Sequence, residues 1–146
     1  MRIKLLNERM LHFLILALLI AELSYVYYYQ TTKQGNAESH LALGVAYLNG
    51  SERFTKDTDK GIKLLYLSAE QGNAMAQAFI SEAYKDGNGL PQSSLHAYVW
   101  ANIAESNGSR LGGLQKKVLV LKMSRSQIQE AQRLSVKCVK QGYKGC

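Results

Sequence analysis

Asn73–Gly108 reads NAMAQAFISEAYKDGNGLPQSSLHAYVWANIAESNG, and Asn36–Gly72, just before it, reads NAESHLALGVAYLNGSERFTKDTDKGIKLLYLSAEQG. The two stretches are one unit written twice. Ala37 pairs with Ala74, His40 with Gln77, Leu43 with Ile80, Ala46 with Ala83, Tyr47 with Tyr84 and Gly50 with Gly87, at a constant shift of 37 residues. Beyond the turn the shift becomes 36, so that Gly61 pairs with Ala97 and Gly72 with Gly108. The first loop is therefore one residue longer than the second. A period of this length, too short to bury a core of its own, means stacked repeats.

Each unit predicts two helices. The first helices span about Ala37–Asn49 and Ala74–Asp86, with Leu41, Gly44, Val45 and Leu48 at helical spacing. Gly50 and Gly87 stop them, as glycine does past a helix C-terminus. The second helices span about Thr58–Gln71 and Gln92–Asn107, with Asp57 and Pro91 as start signals and Gly72 and Gly108 as stops. Tyr47, Tyr66, Tyr84, Tyr98 and Trp100 are expected to fill the space between layers rather than hold a cofactor.

The stretches ALGVAYLNG with LSAEQGNA, and FISEAYKDGNGL with AYVWANIAESNG, resemble Sel1-like repeats, helix-turn-helix units related in shape to tetratricopeptide repeats. The resemblance covers residues 36–108. It departs at Ser81, where the family prefers Gly, and at Glu105, where it prefers Ala. The fold class it implies is all-α: a short α-solenoid with a C-terminal capping helix pair, preceded by an N-terminal hydrophobic helix. The expected domains are an anchor or signal at 1–30, a linker at 31–35, and a repeat domain at 36–146, made of repeats at about 36–72 and 73–108 and a cap at 109–146.

A solenoid end needs a cap. Residues 109–141 are expected to supply it, with Ser124 and Gln127 spaced as a capping box. Ile128, Ala131, Leu134, Val136, and Cys138 or Val139, would face the stack. This stretch is similar to the ending found after many bacterial Sel1 repeats, except at Gly112-Gly113, expected to loosen the helix start. An even cysteine count in an exported domain suggests a bridge between Cys138 and Cys146, and the spacing looks like the disulfide of cysteine-rich Sel1-like proteins. Two free thiols are the alternative.

The N-terminus has Arg2, Lys4 and Arg9, then an apolar run from Leu11 to Ala21, then Glu22 and the tyrosines Tyr25, Tyr27, Tyr28 and Tyr29. Neither Ala21 nor Ser24 completes a small-x-small cleavage site, and the tyrosines lie where an aromatic belt would. These features favour an uncleaved anchor through residues 10–29 over a cleaved signal. The basic start places the N-terminus in the cytoplasm and the remainder in the periplasm of a bacterium, with periplasmic or secreted protein as the outcome after cleavage.

Formal charge totals +7 and is unevenly placed. Residues 35–109 carry five basic and eight acidic groups, whereas residues 110–146 carry nine basic groups and the single acid Glu130. Without an aromatic platform for stacked bases, nucleic acid is not an expected partner. His12, His40 and His96 show no metal-binding spacing, and neither cysteine has a neighbouring His in sequence, so neither metal nor cofactor is expected. There is no S-x-x-K or K-T-G, so a β-lactamase-like activity has no sequence support. Asn49-Gly50-Ser51 and Asn107-Gly108-Ser109 match a glycosylation acceptor but arise where repeat helices end. The expectation is a non-enzymatic adaptor or regulator that binds proteins, with Glu38, His40, Gln77 and Glu82 as candidate contacts on the first helices. The competing expectations are an envelope hydrolase of the cysteine-rich Sel1-like type and a membrane or nucleic-acid contact through the basic C-terminal region.

Overall fold

The computed structural model describes residues 2–51 and 53–146, and their side chains except those of 2–9 and 28–34. The described residues form six helices and no strand: α1 (Arg2–Asn49), α2 (Thr58–Glu70), α3 (Ala74–Asp86), α4 (Ser94–Ser106), α5 (Arg110–Val120) and α6 (Arg125–Lys140). The chain divides into two compact units, Met1–Gln34 and Gly35–Cys146.

In the first unit, Met10–Tyr27 is long and apolar enough to cross a membrane, by length and composition, and none of it is buried. Phe13, Leu18, Leu23 and Tyr27 are all exposed. A helix apolar on every side has no water-facing stripe, unlike a surface helix of a globular domain. Ser24 Oγ donates to the Ala21 carbonyl at 2.8 Å, so its hydroxyl finds a partner on its own helix. The side chains of Arg2, Lys4, Arg9, Tyr28 and Tyr29 lie outside the described residues. Residues 31–35, where a linker is expected, are helical within α1, and the division between the two units falls there. The segment TTKQG contains no proline, and extending a nucleated helix adds a hydrogen bond for each residue fixed.

The second unit stacks helical hairpins. The C-terminal part of α1 packs on α2, α3 on α4, and α5 and α6 both pack on α4. Four helix starts recur at the 36-residue shift. Asp57 accepts from Lys60 N at 3.0 Å, and Ser93 accepts from His96 N at 3.3 Å. Asn73 accepts from Ala76 N at 2.9 Å, and Ser109 from Gly112 N at 3.2 Å. Such caps satisfy backbone donors that the helix leaves orphaned. The α4 start signal is thus Ser93 rather than Pro91, because the Ser93 hydroxyl does the capping while its own N–H donates to Tyr84 O at 2.8 Å. The equivalent bond, Asp57 N to Tyr47 O, is 2.9 Å. Ser124 and Gln127 form the expected capping box.

The core is continuous from Ile62 and Leu65 through Ile80, Trp100 and Ile103 to Leu119, Ala131 and Cys138. Trp100 is fully buried and meets the Tyr66 ring edge-on at 5.7 Å. Tyr66 Oη lies 3.1 Å from Tyr84 Oη. Burial, and secondarily the Tyr84 hydroxyl, push the Tyr66 phenol above the ordinary tyrosine range. Three buried serines tie neighbouring helices through their carbonyls: Ser68 Oγ to Ala37 O at 2.7 Å, Ser81 Oγ to Ala97 O at 2.8 Å and Ser135 Oγ to Val99 O at 3.4 Å. The Ser81 departure from the repeat pattern now has a cause. At the equivalent place in the first repeat, Gly44 and Gly61 are backbone to backbone, and a Cβ on Gly44 would stand 3.1 Å from Gly61 O. In the second repeat a hydroxyl occupies that contact and donates.

Two expectations for the cap need correction. Gly112-Gly113 does not loosen α5. Both glycines are buried inside it, against the last turn of α4. On α6, Val136 and Val139 point to solvent, and Ser135 takes the inward place between Ala131 and Cys138. The i+4 and i+7 spacing from Ala131 selects Ser135 and Cys138, and the hydroxyl is acceptable there because it is hydrogen-bonded.

Cys138 and Cys146 are bridged, with their Cα atoms 5.6 Å apart. The bridge closes the tail over the end of α6, where Tyr143 packs on the core and receives a hydrogen bond from Asn107 Nδ2 at 3.2 Å. Loop-closure entropy for so short a loop predicts that the C138S/C146S variant loses about 2–3 kcal/mol. Denaturant unfolding of the two forms measures the loss directly.

Candidate interaction cleft

The 37-residue register places matching faces of the first helices side by side. Val45 and Glu82 are register equivalents, as are Asn49 and Asp86, and all four line one cleft of about 280 Å³ with Leu48, Phe79, Ala83 and Asn88. Val45, Leu48 and Phe79 are half-buried, so the floor is apolar yet reachable. Glu82 and Asp86 form an acidic rim. Lys85 Nζ reaches both, at 3.9 Å and 3.5 Å, as loose and exposed pairings that hold the carboxylates only weakly. An apolar floor beside polar, partly paired groups is the general form of a peptide or protein contact site.

The four residues singled out in the sequence fare differently. Glu82 lines the cleft. Glu38 is exposed, on the opening turns of the same helical face series. His40 is half-buried, with Nδ1 3.1 Å from Gln71 Nε2. Gln77 is not a surface group. It is fully buried, donates to Ala69 O at 3.1 Å and accepts from Asn107 Nδ2 at 2.9 Å. His40–Gln71 and Gln77–Asn107 are the same cross-helix bond at equivalent positions of the two repeats. A buried amide with both ends bonded rigidifies the hairpin and has nothing left for a partner. The residues that sequence reasoning missed, Val45, Leu48, Phe79 and Asp86, were reachable through the register, since pairs such as 45 and 82 recur on one helical face.

His96 stacks on Tyr84 at 5.1 Å, where the first repeat has Lys60 over the Tyr47 ring at 4.1 Å. His96 Nδ1 lies 2.9 Å from Ser93 Oγ, a nucleophile-to-base distance. The same oxygen already caps α4 by accepting His96 N, and among the described residues no carboxylate partners the ring. The contact is a helix cap repeated from Asp57 and Lys60, and the geometry supplies no catalytic constellation. The described residues contain no group of three or more His, Cys, Asp or Glu suited to a metal ion.

The C-terminal pair carries the positive charge. Lys116 pairs with Glu105 across α4 and α5, and Nζ also donates to Asn102 Oδ1 at 3.3 Å. The Glu105 departure from the repeat pattern therefore clasps the cap. Arg133 engages Glu130 through two hydrogen bonds, of 2.8 Å and 2.6 Å, which hold that carboxyl below the ordinary range.

Comparison with known proteins agrees with this architecture. The Sel1 repeat family matches at residues 37–73 and 74–109. A protective antigen of uropathogenic Escherichia coli strains displaying an SLR fold superposes with a TM-score of 0.67 at 25% identity, over 73% of this chain and 24% of that one. A Sel1 repeat protein from Oxalobacter formigenes superposes with a TM-score of 0.53 at 25% identity, over 70% of this chain and 44% of that one. The chain thus spans less than half of either solved relative. A comparison with curated protein sequences gives no match. Sel1 repeat proteins are generally protein-interaction modules. Two matched repeats, the helical hairpins they form and the solved relatives agree, and the chain belongs to the Sel1 repeat family.

Proposed function

We propose that the chain is a non-enzymatic protein-binding adaptor or regulator of a bacterial envelope complex, and that its partner docks in the cleft between α1 and α3. The observation that carries this is the cleft itself: an apolar floor of Val45, Leu48 and Phe79 under the acidic rim of Glu82 and Asp86. Met10–Tyr27 is read as an inner-membrane anchor, with the repeat domain in the periplasm. The Cys138–Cys146 bridge supports an oxidising compartment. A cleaved signal would suit the same compartment, and N-terminal sequencing of the mature protein separates the two.

The test is site-specific photocrosslinking in intact cells. A crosslinker at Phe79 or Glu82 is expected to trap the same protein, and one at the exposed α6 position Gln129 to trap none of it. F79E should cut capture by about tenfold or more, the loss typical of a truncated hot-spot contact. Capture that is equal from all three positions, or unchanged by F79E, would sink the assignment.

A further inference from the structure

A helix is expected to carry polar residues on its solvent-facing side. α5 does not. Its inner side is Gly112, Gln115 and Leu119. Its outer side carries Leu114, Val118 and Leu121, which are 60%, 48% and 85% exposed. Spaced i, i+4 and i+7, they form one continuous stripe. By helical periodicity Arg110 and Lys117 border it on one side and Lys122 on the other, all three exposed. None of these three cations has an ion-pair partner among the described residues, and no acid occurs in the chain between Glu105 and Glu130.

We propose that this face of α5 lies on an anionic lipid surface, with Leu114, Val118 and Leu121 in the headgroup–acyl boundary and Arg110, Lys117 and Lys122 on lipid phosphates. The site is separate from the cleft between α1 and α3. An apolar stripe bordered on both sides by cations is how an interfacial helix meets an acidic bilayer. An acidic protein groove would satisfy the same charges, but a bilayer is within this chain's own reach. This rests on the reading of Met10–Tyr27, long and apolar enough to cross a membrane, as an anchor. Tethering would raise the local concentration of lipid at the α5 face without any new contact.

The full-length, disulfide-bonded chain in lipid nanodiscs tests this. An environment-sensitive fluorophore is placed on Val120→Cys, next in sequence to Leu121, or on Gln129→Cys, on α6, the native cysteines being bridged. With phosphatidylglycerol in the disc, brominated acyl chains should quench the label at 120 and not at 129. Lys117→Gln and Lys122→Gln should each lower the docked-to-free ratio about fivefold, and Leu121→Glu should abolish quenching. High salt should act like the lysine changes. The proposal is overturned if the label at 120 stays unquenched in acidic discs. It is equally overturned if quenching is as strong in pure phosphatidylcholine and indifferent to the lysine changes. Shielding of the label without lipid, in step with dimer formation or with addition of an acidic protein, would assign the stripe to a second copy or to that protein.

Discussion

Gly112→Ala is expected to destabilise the repeat domain by about 2–3 kcal/mol, while the same change one residue later leaves stability unchanged or slightly raised. A Cβ on Gly112 would stand 2.6 Å from Ala104 Cβ, 2.9 Å from Ala101 O and 2.9 Å from Glu105 N. Two of these are backbone atoms of α4, so nothing nearby can swing aside. The only relief is to push α5 off α4, which opens the packing around Leu119. Alanine gains about 1 kcal/mol of helix propensity over glycine, too little to offset that overpacking. At Gly113 the nearest atom is Glu105 Oε1, at 2.9 Å, with the remaining contacts farther along the same flexible side chain. The carboxylate can rotate and keep Lys116, so the propensity gain survives. Denaturant unfolding of both variants checks the contrast, and equal effects would mean that α5 does not sit this close to α4.

Trp100→Ala is expected to cost about 3–5 kcal/mol, the range for removing a large buried aromatic side chain. Trp100 is fully buried, bridges the two repeats through its edge contact with Tyr66 and lies in the same core as Leu119 of the cap. Its loss would open a cavity where three hairpins meet, and backbone held by close helix contacts collapses only partly into such a space. Trp100→Phe should cost much less, about 1–2 kcal/mol or below. The indole Nε1 is buried without a hydrogen-bond partner among the described residues, so phenylalanine removes an unsatisfied donor along with some volume. Thermal or denaturant unfolding of the pair measures the difference. A Trp100→Phe loss as large as that of Trp100→Ala would point to a hydrogen bond at Nε1 instead.

Local signals were enough to place most helices. α3 is Ala74–Asp86, as its apolar spacing and the stopping Gly87 predict, because glycine past a helix C-terminus ends it by its own conformational freedom. The capping box at Ser124 was legible because its residues also bond the backbone locally, whereas the cysteine bridge was expected from the even cysteine count and the family resemblance, against two free thiols. Facing was harder to read. Gln77 is a polar residue on a first helix and so looked like surface. It is sealed because its equivalent position is where each hairpin bonds across to the end of its second helix, a fact that depends on a partner 30 residues away. Val136 and Val139 looked like core because they are apolar, but the turn of α6 against α4 puts Ser135 inward. Phe79 carries no local signal of a site, and the neighbouring α1 makes it a cleft wall.

By itself, the sequence determined the repeat, its period, most helix stops, the apolar N-terminal helix and the placement of charge. All of these act through short-range sterics, capping and periodicity, or are composition. Tertiary structure alone decided which of two adjacent glycines is irreplaceable, which polar groups are sealed, that positions 45 and 82 share a cleft, and that α5 turns leucines outward. Each of these depends on how far apart two helices settle and at what rotation. That balance of packing against many distant side chains is written in no single stretch of the chain.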